Sequence, residues 1–415
     1  MPILTNISTL ATCRAEGRQG AIHSIENAAL VWQNYTIEWV GAEADLPDAY
    51  AAEPQYDAGG RLVIPGLIDC HTHLAFGGWR AGEFAQRIRG VDYLEIARQG
   101  GGIRSTMRAT RAASGDELVD RCTSFLRQMA RLGVTTVEAK SGYGLNVDDE
   151  LKTLRVYRRL QAEQPLTIVP TFLGAHTLPP EFEHDRDGYL RLLIDTLLPQ
   201  IADEELAAFC DAFVEDTAFS ADEARTLFAA AKRHGLRPKL HADQLTDTGG
   251  AALAAEVGAA SADHLECISD AGIEALAASE VVAVSLPLAT LYLDQDPLPA
   301  RTLIEAGVPV AVATDFNPGS APSYHLPLAL MLACTMQRMT PAEALKGATI
   351  VAARAIGQAH QVGSLEPDKR ADFVVVDAPS VNHWLYQFRA NAVHATVVGG
   401  APIGSSLETV RPGYG

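Results

Sequence analysis

The sequence predicts an α/β protein, a (β/α)8 TIM-like barrel joined to a small β-sandwich domain formed from both chain termini. Three observations predict it. Along the middle of the chain, short apolar runs of strand length alternate with helical stretches about eight times, over the roughly 250 residues that such a barrel needs. Both ends carry β-prone runs bounded by turn residues, and neither end holds enough apolar mass to fold alone. Several of the middle runs finish on a histidine or an aspartate, and the C-terminal ends of its strands are where a barrel keeps its chemistry. The expected boundaries are residues 1–62 and 361–415 for the composite β-domain and 63–360 for the catalytic barrel.

The elements follow in order. At the N-terminus, Ala29–Trp32 and Tyr35–Val40 read as strands of a small antiparallel sheet. The expected barrel strands are Leu62–Ile68, Val134–Glu138, Thr167–Phe172, Ala212–Val214, Pro238–His241, Ser261–His264, Val281–Ser285 and Val308–Thr314. Between them, Glu117–Leu132, Asp149–Gln164, Asp222–His234, Gly249–Val257 and Pro341–Ala355 read as helices. Ser114 with Glu117 is a capping-box signature, and Ser220 and Thr340 suit N-caps. Ala371–Val376 and Val393–Val398 return to the texture of the N-terminus. A doubly wound open sheet is the competing arrangement, but no Gly-rich dinucleotide or phosphate-loop fingerprint follows an early strand.

Composition narrows the function. The chain has 415 residues, 47% hydrophobic and 20% charged, which is a globular balance with no low-complexity segment. Its net charge of −18 excludes a nucleic-acid partner as the first reading, because a phosphate backbone needs a basic face. A small anionic substrate remains compatible, since it needs only one local cation. The six cysteines are scattered with no C-x-x-C pair, as expected of reduced thiols in a cytosol. No signal peptide and no membrane span is legible, so a soluble cytoplasmic protein without nucleic-acid or membrane partners is expected.

The chemistry begins at Asp69-Cys70-His71-Thr72-His73. Residues two apart on a strand share a face, so His71 and His73 can converge on one ion. Neutral imidazole is a common ligand for zinc and iron. His241, His264 and Asp315 each end a later strand-like run. Taken singly, His264 could be a core histidine and Asp315 a turn or N-cap residue; their joint placement at strand ends points to a metal site.

These residues carry a family resemblance. Pro65-Gly66-Leu67-Ile68-Asp69 running into His71 and His73, the later His241 and His264, the terminal Asp315 and the segment Gly363–Phe373 resemble the amidohydrolase superfamily over essentially the whole chain. Within it, Phe76–Arg80, Gly100–Ile103, Lys140–Leu145, Phe172–His176, His241–Gln244 and Thr314–Ser320 are similar to the imidazolonepropionase family. The resemblance implies hydrolysis of the ring amide of 4-imidazolone-5-propanoate to N-formimidoyl-L-glutamate, the third step of L-histidine degradation. The alternative is another mononuclear amidohydrolase, such as a nucleobase-type deaminase. A non-catalytic scaffold is a third reading, but scaffolds of this kind lose metal ligands and this chain retains them.

The resemblance also implies one divalent or trivalent ion per subunit, zinc or iron, held by His71, His73, His241 and Asp315, and a homodimer. Two-metal members bridge their ions with a modified lysine on a middle strand. Lys140 could be taken for it, but a lysine preceding Ser-Gly-Tyr-Gly is similar to that of single-metal members. The expected catalytic residues are Asp315, His264 and Gln244, the last able only to orient because a neutral amide carries no proton. The expected substrate-binding residues are Arg80, Tyr143, His176, Gln244, Asn317, Gly319 and Ser320. Arg80 can fork onto a carboxylate, although a salt-bridge arginine is the plainer reading. Tyr143 could instead be a packing residue, and His176 a further metal ligand. The loop of Asn317, Gly319 and Ser320 can offer amide and hydroxyl donors to an anion, or be a simple turn.

Overall fold

A computed structural model of the chain describes residues 1–91, 95, 100–404 and 407. The strands in chain order are β1 (Ile3–Ala11), β2 (Ser24–Gln33), β3 (Thr36–Ala42), β4 (Gln55–Pro65), β5 (Leu67–Asp69), β6 (Val134–Lys140), β7 (Thr167–Ala175), β8 (Phe209–Val214), β9 (Arg237–Ala242), β10 (Ser261–His264), β11 (Val282–Ser285), β12 (Val310–Val312), β13 (Phe373–Val376), β14 (Val393–Val398) and β15 (Ala401–Ile403). They form two sheets. β5 to β12 lie side by side in sequence order, each parallel to the next. Helices follow most of these strands and cover the outside, which is the (β/α)8 arrangement the alternation requires.

The ends of that sheet meet beyond its last strand residues. Thr72 and Phe316 form a parallel bridge, His73 N donates to Phe316 O at 2.9 Å, and Asp315 N donates to His71 O at 3.1 Å. Below them Thr314 donates its N–H (3.0 Å) and its hydroxyl (2.6 Å) to the Asp69 carboxylate. The seam that closes the barrel therefore runs directly between the His71–His73 pair and Asp315.

The terminal sheet has the order β15-β14-β13-β4-β1-β2-β3 and mixes parallel with antiparallel pairing. It is one hydrogen-bonded sheet, curled over its own core. Trp32 on β2 and Phe373 on β13 lie three strands apart, about 14 Å in a flat sheet, yet their rings meet at 5.2 Å. Gly59 and Gly60, with φ of 64° and 70°, carry the irregularity in β4 that helps the bend. Beyond residue 404, all but Leu407 of the expected C-terminal part of this domain lies outside the described residues.

Two expected elements are divided. The run Leu62–Ile68 is not one strand: Leu62–Pro65 pairs with β13 in the terminal sheet, and the barrel begins only at Leu67. The chain changes sheets at Pro65-Gly66. Proline lacks a ladder donor, and a Cβ on Gly66 would lie 2.3 Å from the Thr135 hydroxyl, so the crossing needs glycine. The expected helix Pro341–Ala355 is two, Pro341–Gly347 and Ile350–Ala355, broken at Thr349 with φ −128° and ψ −106°. The three expected caps are present, and Ser114, Ser220 and Thr340 all close capping boxes.

Candidate active site

His71 and His73 follow β5, His241 lies on β9, His264 ends β10 and Asp315 follows β12. All five are buried at the C-terminal mouth of the barrel. The last two are set by backbone conformation. His264 (φ 80°) and Asp315 (φ 55°) are left-handed, so the chain turns sharply at the strand end and throws each side chain over the mouth. A non-glycine residue in that region costs of order 1–3 kcal/mol, a strain that surrounding structure must hold.

The ring nitrogens are oriented from behind. His71 Nδ1 meets Asp263 Oδ2 at 2.7 Å, and His241 Nδ1 lies 3.1 Å from Asp211 Oδ2. With these two Nδ1 edges turned to carboxylates, the Nε2 atoms of His71 and His241 face inward. There His71 Nε2 and His73 Nε2 each lie 3.4 Å from Asp315 Oδ1, and His241 Nε2 lies 3.4 Å from His73 Nε2. His71 Nε2 is fully buried with no hydrogen-bond partner. Lone pairs that confront one another and a carboxylate repel unless a cation lies between them.

The spacing agrees with that requirement. Tetrahedral coordination with bonds of about 2.0–2.1 Å places ligand atoms about 3.3–3.4 Å apart. His71, His73 and Asp315 form one potential ligand cluster, and His71, His241 and His264 a second that shares His71. The residues therefore fit a metal ion, and His264 lies within reach of the same point. Electrostatics follow the same pattern. Burial alone would raise the Asp315 pKa, but His71 and His73 hold it well below the usual carboxylate range. Burial pushes His73 and His241 down, so their rings are neutral ligands. His71 differs: against burial and Lys140, Asp263 and Asp315 raise it to about 9.

Lys140 does not reach the mouth. It lies on β6, the second barrel strand, with Nζ 2.7 Å from Asp211 Oδ2, 2.8 Å from Glu138 Oε1 and 3.4 Å from Asp263 Oδ2. Burial works against its charge, yet those carboxylates outweigh it and raise its pKa above the ordinary lysine range.

The expected substrate residues divide into those that gather at the mouth and those occupied otherwise. His176 stacks on His73 (5.1 Å between ring centroids, 21° between planes), and Tyr143 lies 5.4 Å from His176 and 5.7 Å from His73. His176 Nδ1 contacts Gly142 O at 3.0 Å, and burial with the neighbouring His73 pushes its pKa down to about 3. It is therefore neutral, donates from Nδ1 and presents Nε2 as an acceptor. Burial and Asp315 push the Tyr143 phenol above its usual range, which keeps it a donor.

Arg80 lies across the mouth, packed on Gly319 so closely that a Cβ there would sit 2.3 Å from Arg80 Nη1. The amides expected to receive an anion are engaged: Gly319 N and Ser320 N both donate to Asn317 Oδ1 at 2.7 Å. Asn317 Nδ2 donates to the Asp315 carbonyl at 2.7 Å, and the Ser320 hydroxyl lies 3.4 Å from Asp315 Oδ2. Here the short Asn side chain has captured its own loop's donors, so the loop braces Asp315 and makes room for Arg80. Gln244 is nearly buried, on a loop that Asp243 holds by accepting from the N–H groups of Gly250 and Ala251 at 2.9 and 2.8 Å.

Several residues escaped the sequence reading. Glu83 accepts from Arg80 Nε (2.8 Å) and from Gly102 N (3.1 Å), fixing the guanidinium; the clue was the i,i+3 spacing. Glu150 accepts from Gly142, Gly144 and Leu145 N–H groups at 3.1, 2.8 and 2.9 Å, holding the loop that presents Tyr143. Asp211, Asp263, Glu138 and Lys239 are fully buried inside the barrel. Their signal was a charge at alternate positions of otherwise apolar strands, as in Glu138-Ala139-Lys140.

Comparison with known proteins shows the family. The sequence profile of the Amidohydrolase family matches residues 62–403. The imidazolonepropionase of Geobacillus kaustophilus is 48% identical over 91% of this chain and 90% of its own length. Those of Cupriavidus necator (49%, covering 91% and 90%) and Porphyromonas gingivalis (47%, covering 96% and 96%) are similarly related. Among solved structures, an adenosine deaminase from Xanthomonas campestris with bound zinc superposes with TM-score 0.72 at 19% identity, covering 99% of this chain and 94% of its own. A 5-methylcytosine deaminase from Klebsiella pneumoniae gives 0.73 at 17%, covering 99% of each. At such identities these two show a shared fold.

Proposed function

We infer, from the premise that this chain belongs to the amidohydrolase family and within it to the imidazolonepropionase family, how its residues carry out that hydrolysis. The reaction opens the ring amide of 4-imidazolone-5-propanoate to N-formimidoyl-L-glutamate in histidine degradation. The observation that carries the residue assignment is the convergence of His71, His73, His241 and Asp315 through inward-facing atoms about 3.4 Å apart, under a roof of Tyr143, His176 and Arg80. Those four residues hold one metal ion, zinc or iron. When bound, such an ion polarises the scissile carbonyl and lowers the pKa of its water to about 7.

The chain's own groups supply the rest. Asp315 spends one oxygen facing His71 and His73, which leaves Oδ2, beside Ser320, to take the proton of the attacking water and return it to the departing ring nitrogen. His264 stabilises charge developing on the carbonyl oxygen. Gln244 orients without carrying a proton. Arg80, held by Glu83, grips the propanoate; Tyr143 donates to the substrate, and the Nε2 acceptor of His176 suits a ring N–H. A homodimer and cytoplasmic residence complete the proposal. Among the described residues no helix is long and apolar enough to cross a membrane.

The experiment is to follow the ultraviolet absorbance of enzymatically generated imidazolonepropanoate, with and without chelator, beside ammonia release from cytosine and guanine. Chelator-sensitive loss of the imidazolone absorbance with no ammonia is expected. Ammonia from either base would favour the deaminase alternative.

A further inference from the structure

Beneath the ligand histidines lies a buried charge cluster that the hydrolytic mechanism does not use. Asp211 faces His241 and Asp263 faces His71, so two of the proposed ligands are aimed by carboxylates on neighbouring regions of the barrel wall. Buried carboxylates are costly to hold as anions, and they rotate toward whatever donor is within reach. The donor within reach of both is the Lys140 ammonium, at 2.7 Å from Asp211 Oδ2 and 3.4 Å from Asp263 Oδ2. These are the same oxygens that meet the histidines. Glu138, at 2.8 Å from Nζ, is the third partner and faces no ligand histidine.

We propose that Lys140 is a positioning residue for the metal centre, its ammonium fixing Asp211 and Asp263 so that His241 and His71 present Nε2 to the ion. The proposal rests on the reading of His71, His73, His241 and Asp315 as ligands. A lysine suits the task because three tetrahedral N–H donors can serve three carboxylates at once. Partners that orient ligand histidines typically govern metal affinity by about 10- to 100-fold. Here one cation reaches two such partners, with the Ser261 hydroxyl also donating to Asp263, at 2.5 Å.

The test uses Zn2+ and Co2+ alone on the full-length chain. Lys140→Met should weaken Zn2+ binding by about 10- to 100-fold in competition with a chelating dye. It should also shift the visible ligand-field bands of the Co2+-loaded protein, which a merely structural role would not move. Because two buried carboxylates without their cation could prevent folding, a Lys140→Met, Glu138→Gln double variant removes one charge of each sign. It should keep the affinity deficit, while Glu138→Gln alone stays within about threefold of wild type. A folded double variant with wild-type affinity and unchanged Co2+ bands would overturn the proposal. So would a double variant that fails to fold with Zn2+ present, since Lys140 would then serve the barrel and not the ion. A wild-type protein that binds neither metal would overturn the ligand set itself, which separates the two failures.

Discussion

Gly319→Ala is a sharp test of the substrate side of the site, because it should move one side chain and leave the fold alone. Gly319 has no positive φ, so alanine brings no backbone strain. Its methyl would lie 2.3 Å from Arg80 Nη1 and 3.0 Å from Cζ, against the 3.4 Å at which ordinary contact begins, so the guanidinium must retreat by about 1 Å. Arginine is flexible and can do so. What it loses is its place over the mouth. A charge-assisted hydrogen bond contributes about 1.5–3 kcal/mol, or about 10- to 150-fold in kcat/KM. A displaced Arg80 should lose about 10-fold, mostly as raised KM, and Arg80→Met nearer 100-fold. The assay is initial-rate loss of imidazolone absorbance, with thermal melting as the control for folding. Because both substitutions act on one contact, Gly319→Ala should add almost nothing in the Arg80→Met background. A kcat/KM within twofold of wild type, or a loss that adds fully to that of Arg80→Met, would refute the reasoning.

Three further outcomes are expected. Asp315→Ala should cut kcat by at least about 10²–10⁴-fold, the scale of a lost acid–base group, in steady-state assays with metal in excess; near-normal kcat with metal bound would remove Asp315 from the chemistry. His176 is held down to about 3, so between that value and about 6.5 the unfolded chain binds a proton there that the folded one does not, and stability rises with pH across that window. His176→Gln should flatten the rise, read as denaturant midpoints at pH 5 and pH 7 relative to wild type; an unchanged slope would show that His176 does not stay neutral. At Gly77 an added Cβ would lie 2.1 Å from Ala109 O and 2.5 Å from Thr110 N, both backbone. Gly77→Ala should therefore cost about 1–3 kcal/mol in urea unfolding, and an unmoved midpoint would show that the helix Ile103–Ala112 can back away.

How much of this was written in the sequence differs by kind of information. The alternation of strands and helices, the capping boxes at Ser114, Ser220 and Thr340, and the strand-end placement of His71, His73, His241, His264 and Asp315 are local. Each depends on residues a few positions apart, where the 2.0 and 3.6 residue periods and cap chemistry act directly. The break at Gly66 was not legible in the sequence, where Leu62–Ile68 reads as one strand. Only contact with Thr135 shows why the chain must leave one sheet there.

What the tertiary structure decided is pairing over long separations. His71 finds Asp263 across 192 residues, and Lys140 finds Asp211 across 71. Alternation tells which face of a strand a side chain occupies, but not which strand closes next to it or how far up the wall its neighbour sits. Parallel register and barrel closure determine that. The same limit explains the loop after Asp315. Donor-rich composition suggested an anion cradle; in the folded loop the amides of Gly319 and Ser320 donate to Asn317 Oδ1, and Arg80 beside them is held by Glu83. The sequence by itself determined which residues could perform the hydrolysis and at which end of the barrel they stand. The fold decided which of their atoms face inward: His71 turns Nε2 inward because its Nδ1 is held by Asp263, which comes from a distant strand.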